Sequence, residues 1–344
     1  MRMLMTRCIA AIPFMLAFAL VGPAIAQDKQ VELKLSTWIP PAHSLIPSLK
    51  EWGDSLSQAT NGTVKVTVFP SEQLGKAIDH YDMARDGIAE MTLVNPGYTT
   101  GRFPVIGIAD LPFLFTNATS GARALHEWYA NYAPREMKDV KVCLVLPHHP
   151  GALHMKTKKV VRPADLGGLR IRPANATVAA YVNSMGATTV QASISEVREL
   201  LERGVADGVT FPWDGVFLMK VESIVKYHLD VPFYVATFVF PINKDFYESL
   251  SAAQKKAVDA HCTPEWSEKI STPWAKREEA GKPKIAGLAG HEVYTIGKED
   301  FAAWQKAAEP IVARAFEAVK KAGVDPQKAL DELKASLKSH NAAY

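Results

Sequence analysis

Residues 165–215 read DLGGLRIRPANATVAAYVNSMGATTVQASISEVRELLERGVADGVTFPWDG, and this stretch restricts the fold more than any other. Leu169 and Ile171 alternate with Arg170 and Arg172, the period of two expected of a strand with one buried face. Both arginines then point to the same side. Pro173 cannot extend a ladder, Asn175 is suited to cap a helix over 177–185, and Gly186 is suited to end it. Strand, tight connection and helix in this order form the unit of an open α/β sheet, where ligands bind beyond the carboxyl ends of the strands. Arg172, the last residue before the turn, is therefore better placed for a ligand than Arg170. A guanidinium beside a helix N-terminus suits a carboxylate, because its paired N–H donors match two oxygens and the helix dipole favours negative charge. An arginine at a strand end is equally able to form a surface ion pair, and the local pattern leaves both readings open.

The start of the chain carries the pattern of an export signal. Arg2 and Arg7 precede an apolar run over 8–21, and Ala24-Ile25-Ala26 forms a small-x-small cleavage site, so residues 1–26 are expected to be removed and Gln27 to come first. No other stretch is apolar enough to span a bilayer, and no direct membrane insertion is expected. The whole chain of 344 residues has 39 Lys and Arg against 36 Asp and Glu, and losing Arg2 and Arg7 brings it close to balance. That leaves no charge excess for a polyanion, so nucleic acid is not an expected partner. The length suffices for two lobes with cores of their own. Two cysteines are left in an oxidising compartment, Cys143 and Cys262; they are either a disulfide or two buried thiols.

The remaining pattern alternates strands with helices. Strands are expected over 31–37, 63–69 and 89–94, with helices over 44–58 and 76–86 between them, a doubly wound α/β plan. Asn95-Pro96-Gly97-Tyr98 is then a loop at a strand's carboxyl end, either an ordinary turn or a cleft wall. A helix over 120–132 and a strand over 140–146 lead to Pro147-His148-His149-Pro150-Gly151, read as the first crossing between lobes. Residues 153–156, the Arg172 strand and a helix over 195–203 belong to the second lobe. A long alternating strand over 231–242 is expected to cross back. The pattern is helical from about 251 to 280, long enough to span both lobes, and helices over 298–321 and 326–339 follow a short strand near 291–295.

Several of these motifs occur together in one known family. The 165–215 segment, the loop followed by Arg102-Phe103-Pro104 and Leu111-Pro112-Phe113-Leu114-Phe115, and the Gly204-Val-Ala-Asp-Gly208 turn resemble the solute-binding proteins of TRAP transporters, the DctP-type periplasmic receptors for organic acids. The resemblance implies a two-lobed periplasmic-binding-protein-like α/β fold with a long helix spanning both lobes. Residues 27–150 with about 238–278 would form the first lobe, and 151–237 with about 279–344 the second. It implies a periplasmic receptor that closes on a small organic acid and delivers it to a membrane permease, with no cofactor. It also implies that Arg172 clamps the ligand carboxylate. Trp38, Asn95, Tyr98, His149, His154, Phe211 and Trp213 are the expected walls of the site. A receptor that docks to a sensor kinase, and less readily a secreted hydrolase, are the alternatives.

Two departures from the family pattern bear on the ligand. Leu153 stands where many relatives carry a second arginine, and Phe211 where sugar-acid binders carry an asparagine, with Trp213 close by. An unpaired second carboxylate would be costly to bury, and rings in place of an amide favour an apolar body. A monocarboxylate is expected, aromatic or with a 2-oxo or 2-hydroxy group that His149 or His154 would meet. His148, His149 and His154 lack acidic or cysteine companions at ligand spacing, so no metal is expected. No GxSxG elbow, Walker A loop or HExxH motif occurs; Ser223 to Lys226 matches SxxK without its partner motifs, and no catalysis is expected.

Overall fold

The computed structural model describes residues 28–344; the expected leader over 1–26 and its cleavage after Ala26 lie outside them. In chain order the strands are β1 (Val31–Ser36), β2 (Val64–Phe69), β3 (Met91–Thr92), β4 (Val140–Pro147), β5 (Gly151–Met155), β6 (Arg170–Arg172), β7 (Thr188–Thr189), β8 (Gly208–Phe211), β9 (Tyr227–Tyr234), β10 (Thr237–Asn243) and β11 (Glu292–Tyr294). They form two sheets, a five-stranded one in the order β2-β1-β3-β10-β4 and a six-stranded one in the order β11-β9-β5-β8-β6-β7. Each sheet with its helices is one lobe. The chain passes from the first sheet to the second between β4 and β5 and returns between β9 and β10.

That return corrects the expectation of one strand over 231–242. The run is two strands in different sheets, β9 antiparallel to β5 and β10 antiparallel to β4, broken at Val235 and Ala236. A continuous apolar run carries no mark of the change, because both halves are buried. The 251–280 helix is likewise broken, into Ala252–His261 and Pro264–Glu279. Thr263 accepts the Trp266 N–H at 3.3 Å as N-cap, and Pro264 takes the first helical turn, where it costs no hydrogen bond. A further turn of helix, Gly281–Ala286, carries this element from the first lobe onto the second. Gly281 is required there, since a Cβ would stand 2.5 Å from the Asp214 nitrogen.

Cys143 on β4 and Cys262 at the break between the two helices are joined in a disulfide, which settles the alternative left by the sequence. The 24-residue helix Lys298–Lys321 packs on the second lobe and on the closing helix Pro326–Ser339, which returns to the first lobe. No helix of the described residues is long and apolar enough to cross a membrane.

Candidate functional site

Arg172 ends β6, between β8 and β7 and parallel to both. Pro173 stops the ladder, the Ala174 N–H donates to the Thr210 hydroxyl at 2.9 Å, and Asn175 accepts from the Val178 N–H at 2.8 Å to start the helix Ala176–Ser184. The side chain of Arg172 is 2% exposed, and its Nε and Nη2 donate to the Ala192 carbonyl at 3.1 and 2.9 Å. Its guanidinium carbon lies 5.5 Å from the Phe211 ring centre. Among the described residues no carboxylate pairs with it. Arg170, two residues earlier, is exposed and holds Asp207 in a bidentate pair at 3.0 and 2.6 Å. The shared strand face does not give the two arginines one environment: Arg170 is at the rim, and Arg172 is at the carboxyl end beneath a cavity.

The cavity lies between the lobes and holds about 50 Å³ in which a water molecule could centre itself. Trp38, Asn95 and Tyr98 line it from the first lobe, and Arg172 and Phe211 from the second. Asn95 accepts the Gly97 N–H at 3.0 Å through Oδ1, and Trp38 is fixed by donating to the Leu93 carbonyl at 2.9 Å. Burial pushes the Tyr98 phenol up, against the opposing pull of the Arg172 charge. The rings form a continuous wall: Tyr98 to Trp38 at 5.5 Å, Trp38 to Phe238 at 6.0 Å, Phe238 to Trp274 at 5.4 Å, and Trp274 to His43 at 4.8 Å. Tyr234 also lines the cavity, and its buried hydroxyl has no hydrogen-bond partner among the described residues.

Trp213, His149 and His154 lie elsewhere. Trp213 and the His149 side chain border a separate outer groove, and it is the His149 backbone N–H that points inward, donating to Glu278 Oε2 at 2.8 Å. His154 is fully buried in β5, on the far side of the Phe211 backbone. Its Nε2 bonds the Phe211 carbonyl at 3.1 Å, so Nε2 carries the proton and Nδ1 accepts. His228 Nδ1 donates to it at 2.8 Å, His291 Nδ1 donates to His228 Nε2 at 3.0 Å, and the Lys226 ammonium donates to His291 Nε2 at 3.0 Å. All three imidazoles are neutral; burial, first, and the neighbouring rings and Lys226 push His228 down to about 2. Among the described residues no group of three or more His, Cys, Asp and Glu side chains could hold a metal ion.

Sequence reasoning missed His43, His148, Tyr234, Phe238, Trp274 and Glu278, all of which line the cavity. His148 is a strut: Nδ1 donates to the His149 carbonyl at 2.5 Å and Nε2 accepts the Ala236 N–H at 3.0 Å, tying the two crossings together. Burial holds it neutral, at about 4. Trp274 and Glu278 are four apart on one helix, a spacing legible in sequence, but nothing local says that this stripe faces a cavity instead of core. Burial pushes the Glu278 carboxyl well above the usual range, with the Asp214 charge adding to the rise.

Residues 35–318 match the family model DctP, described as bacterial extracellular solute-binding protein, family 7. The chain belongs to this family. Among solved members, a TRAP solute binding protein from Rhodoferax ferrireducens T118, in complex with copurified benzoate, is 29% identical with a TM-score of 0.84, over 91% of this chain and 99% of that one. A TRAP periplasmic solute binding protein from Bordetella bronchiseptica with bound (R)- and (S)-mandelate is also 29% identical with a TM-score of 0.84, over 90% and 99%. The C4-dicarboxylate-binding periplasmic protein DctP of Rhodobacter capsulatus is 25% identical over 309 residues, 86% of this chain and 89% of that one. The chain spans 37% and 65% of the length of two further curated relatives. A family 7 receptor is a two-lobed periplasmic transport protein without catalytic activity, and membership implies a small-molecule ligand and cognate permease subunits.

Proposed function

We propose that this receptor captures an aromatic monocarboxylate, by closing its lobes around a carboxylate held on Arg172, and hands it to a TRAP-type permease after export and cleavage behind Ala26. The observation that carries the reading is the buried guanidinium of Arg172, unpaired by any carboxylate among the described residues, in a cavity walled mainly by rings and aliphatic side chains. An unpaired buried charge is costly, and a ligand carboxylate removes that cost through charge-assisted bonds worth about 1.5–3 kcal/mol each. Ring pairs add about 0.5–1.5 kcal/mol beyond the area they bury.

The preference for a single charge rests on different residues from those the sequence suggested. Leu153 is fully buried in the core of the second lobe and does not line the cavity, so the lack of an arginine there says little about the ligand. Glu278 and Asp214 do line it, and Asp214 is already paired with Arg277 at 2.7 Å. A second ligand carboxylate would find acids and, among the described residues lining the cavity, no cation besides Arg172. The benzoate and mandelate bound by two relatives support the reading, and the dicarboxylate receptor is its competitor. Calorimetry on protein freed of ligand by unfolding and refolding tests it: benzoate and mandelate should bind, and succinate and galacturonate should not. Tighter binding of succinate than of benzoate would overturn the ligand class and leave the family untouched.

A further inference from the structure

We propose that His43 and Glu278 form a second polar subsite in the cavity, remote from Arg172, which recognises a hydroxyl group on the ligand's ring. The inference rests on the aromatic monocarboxylate reading and specifies it further.

His43 is 4% exposed, and its Nδ1 accepts the Leu45 N–H at 3.1 Å. The neutral ring therefore carries its proton on Nε2, and no hydrogen bond among the described residues engages that atom. Burial, with the Arg277 charge adding to it, pushes His43 down to about 3, so the ring stays neutral. Glu278 is 2% exposed; one oxygen takes the His149 N–H, and among the described residues no cation pairs with its carboxyl. Both side chains flank Trp274: His43 meets its ring edge-on at 4.8 Å, and Glu278 follows it by one helical turn. The subsite thus lines one end of the cavity with one fixed N–H donor and with a carboxyl that burial pushes towards its neutral form, able to give as well as take a hydrogen bond. A hydroxyl, which also gives and takes, is its complement. A carboxylate would find no cation there, and a bare C–H edge would leave buried polar atoms without partners, a loss that makes such sites discriminating.

The separation from Arg172 rests on the ring wall. The wall from Tyr98, beside Arg172, to Trp274, beside Glu278, is built of successive rings, so a ligand reaching both ends places an aromatic body between its polar groups. The hydroxyl then sits on the ring and not on the carbon next to the carboxylate.

Calorimetry with benzoate, 3-hydroxybenzoate, 4-hydroxybenzoate and mandelate on the ligand-freed protein reads this directly. At least one hydroxybenzoate should bind about tenfold more tightly than benzoate, the effect of a good buried hydrogen bond. In Glu278→Leu and His43→Phe the ratio of hydroxybenzoate to benzoate affinity should fall to about one, and Glu278→Gln, which can still give and take, should keep most of it. Benzoate binding with a ratio near one in the wild type would overturn the subsite and spare the aromatic reading. A gain for mandelate alone would put the hydroxyl contact beside Arg172 and overturn it as well. Failure of all these acids to bind would remove both.

Discussion

Arg172 is the residue on which recognition and stability pull in opposite directions. It is buried without a counter-charge, so Arg172→Ala should cost about 3 kcal/mol or more of ligand affinity without lowering the melting temperature of the ligand-free protein, whose uncompensated charge it removes. Arg172→Lys should restore only part of the affinity, because a point charge cannot present two parallel donors. Parallel calorimetric titration and thermal melts separate the two effects; a large drop in ligand-free stability would show that the guanidinium is a strut for Ala192 first. Arg172 was legible because strand parity and the proline after it place it at a carboxyl end, and Phe211 because it stands where the family pattern has a ligand-facing asparagine. The histidines were not. His149 and His154 stand in the right segment, but their side chains leave it on the wrong side, and which of two adjacent histidines turns inward depends on the twist of the crossing.

At the scale of elements, the contact between the Pro96–Tyr98 turn and the start of the Ala176–Ser184 helix joins one lobe to the other. A Cβ on Gly97 would stand 2.5 Å from the Asn175 Cβ, closer than real carbon atoms approach. Gly97→Ala should therefore disfavour the closed form: ligand should dissociate faster and bind about tenfold or more weakly, with little change in the ligand-free melting temperature. Stopped-flow release of a bound ligand checks this, and an unchanged off-rate would show that the turn yields. The order of elements could be read from apolar period and caps, down to both ends of Lys298–Lys321 and Pro326–Ser339. The breaks at Val235 and at Cys262 could not, because each depends on which sheet or helix face receives the next residue, a tertiary matter that local propensity does not encode.

The molecule as a whole should become more compact when ligand arrives, since the cavity is walled by both lobes, and small-angle scattering should record a falling radius of gyration. Its acid sensitivity follows from its histidines. Burial lowers His43 to about 3, His80, His126, His148 and His154 to about 4, and His228 to about 2. Each takes up a proton on unfolding once the pH is below about 6.5, so stability falls from there towards pH 4, at up to about 1.4 kcal/mol per histidine per unit. Asp110, at about 7, with Glu136 and Glu278, also raised by burial, works the other way but is outnumbered. The melting temperature should drop between pH 7 and pH 5, and a flat profile would mean that these rings titrate in the folded state. The disulfide has a mechanical meaning. Cys143 and Cys262 are 119 residues apart, and β5 to β9, nearly the whole second sheet, lie between them. A force applied to the two ends of the chain runs through the sulfur bridge and bypasses β5 to β9, leaving roughly 400 Å of contour slack, at about 3.3–3.6 Å for each of the 119 residues. Under tweezers the oxidised protein should extend short by that length, and reductant should release it.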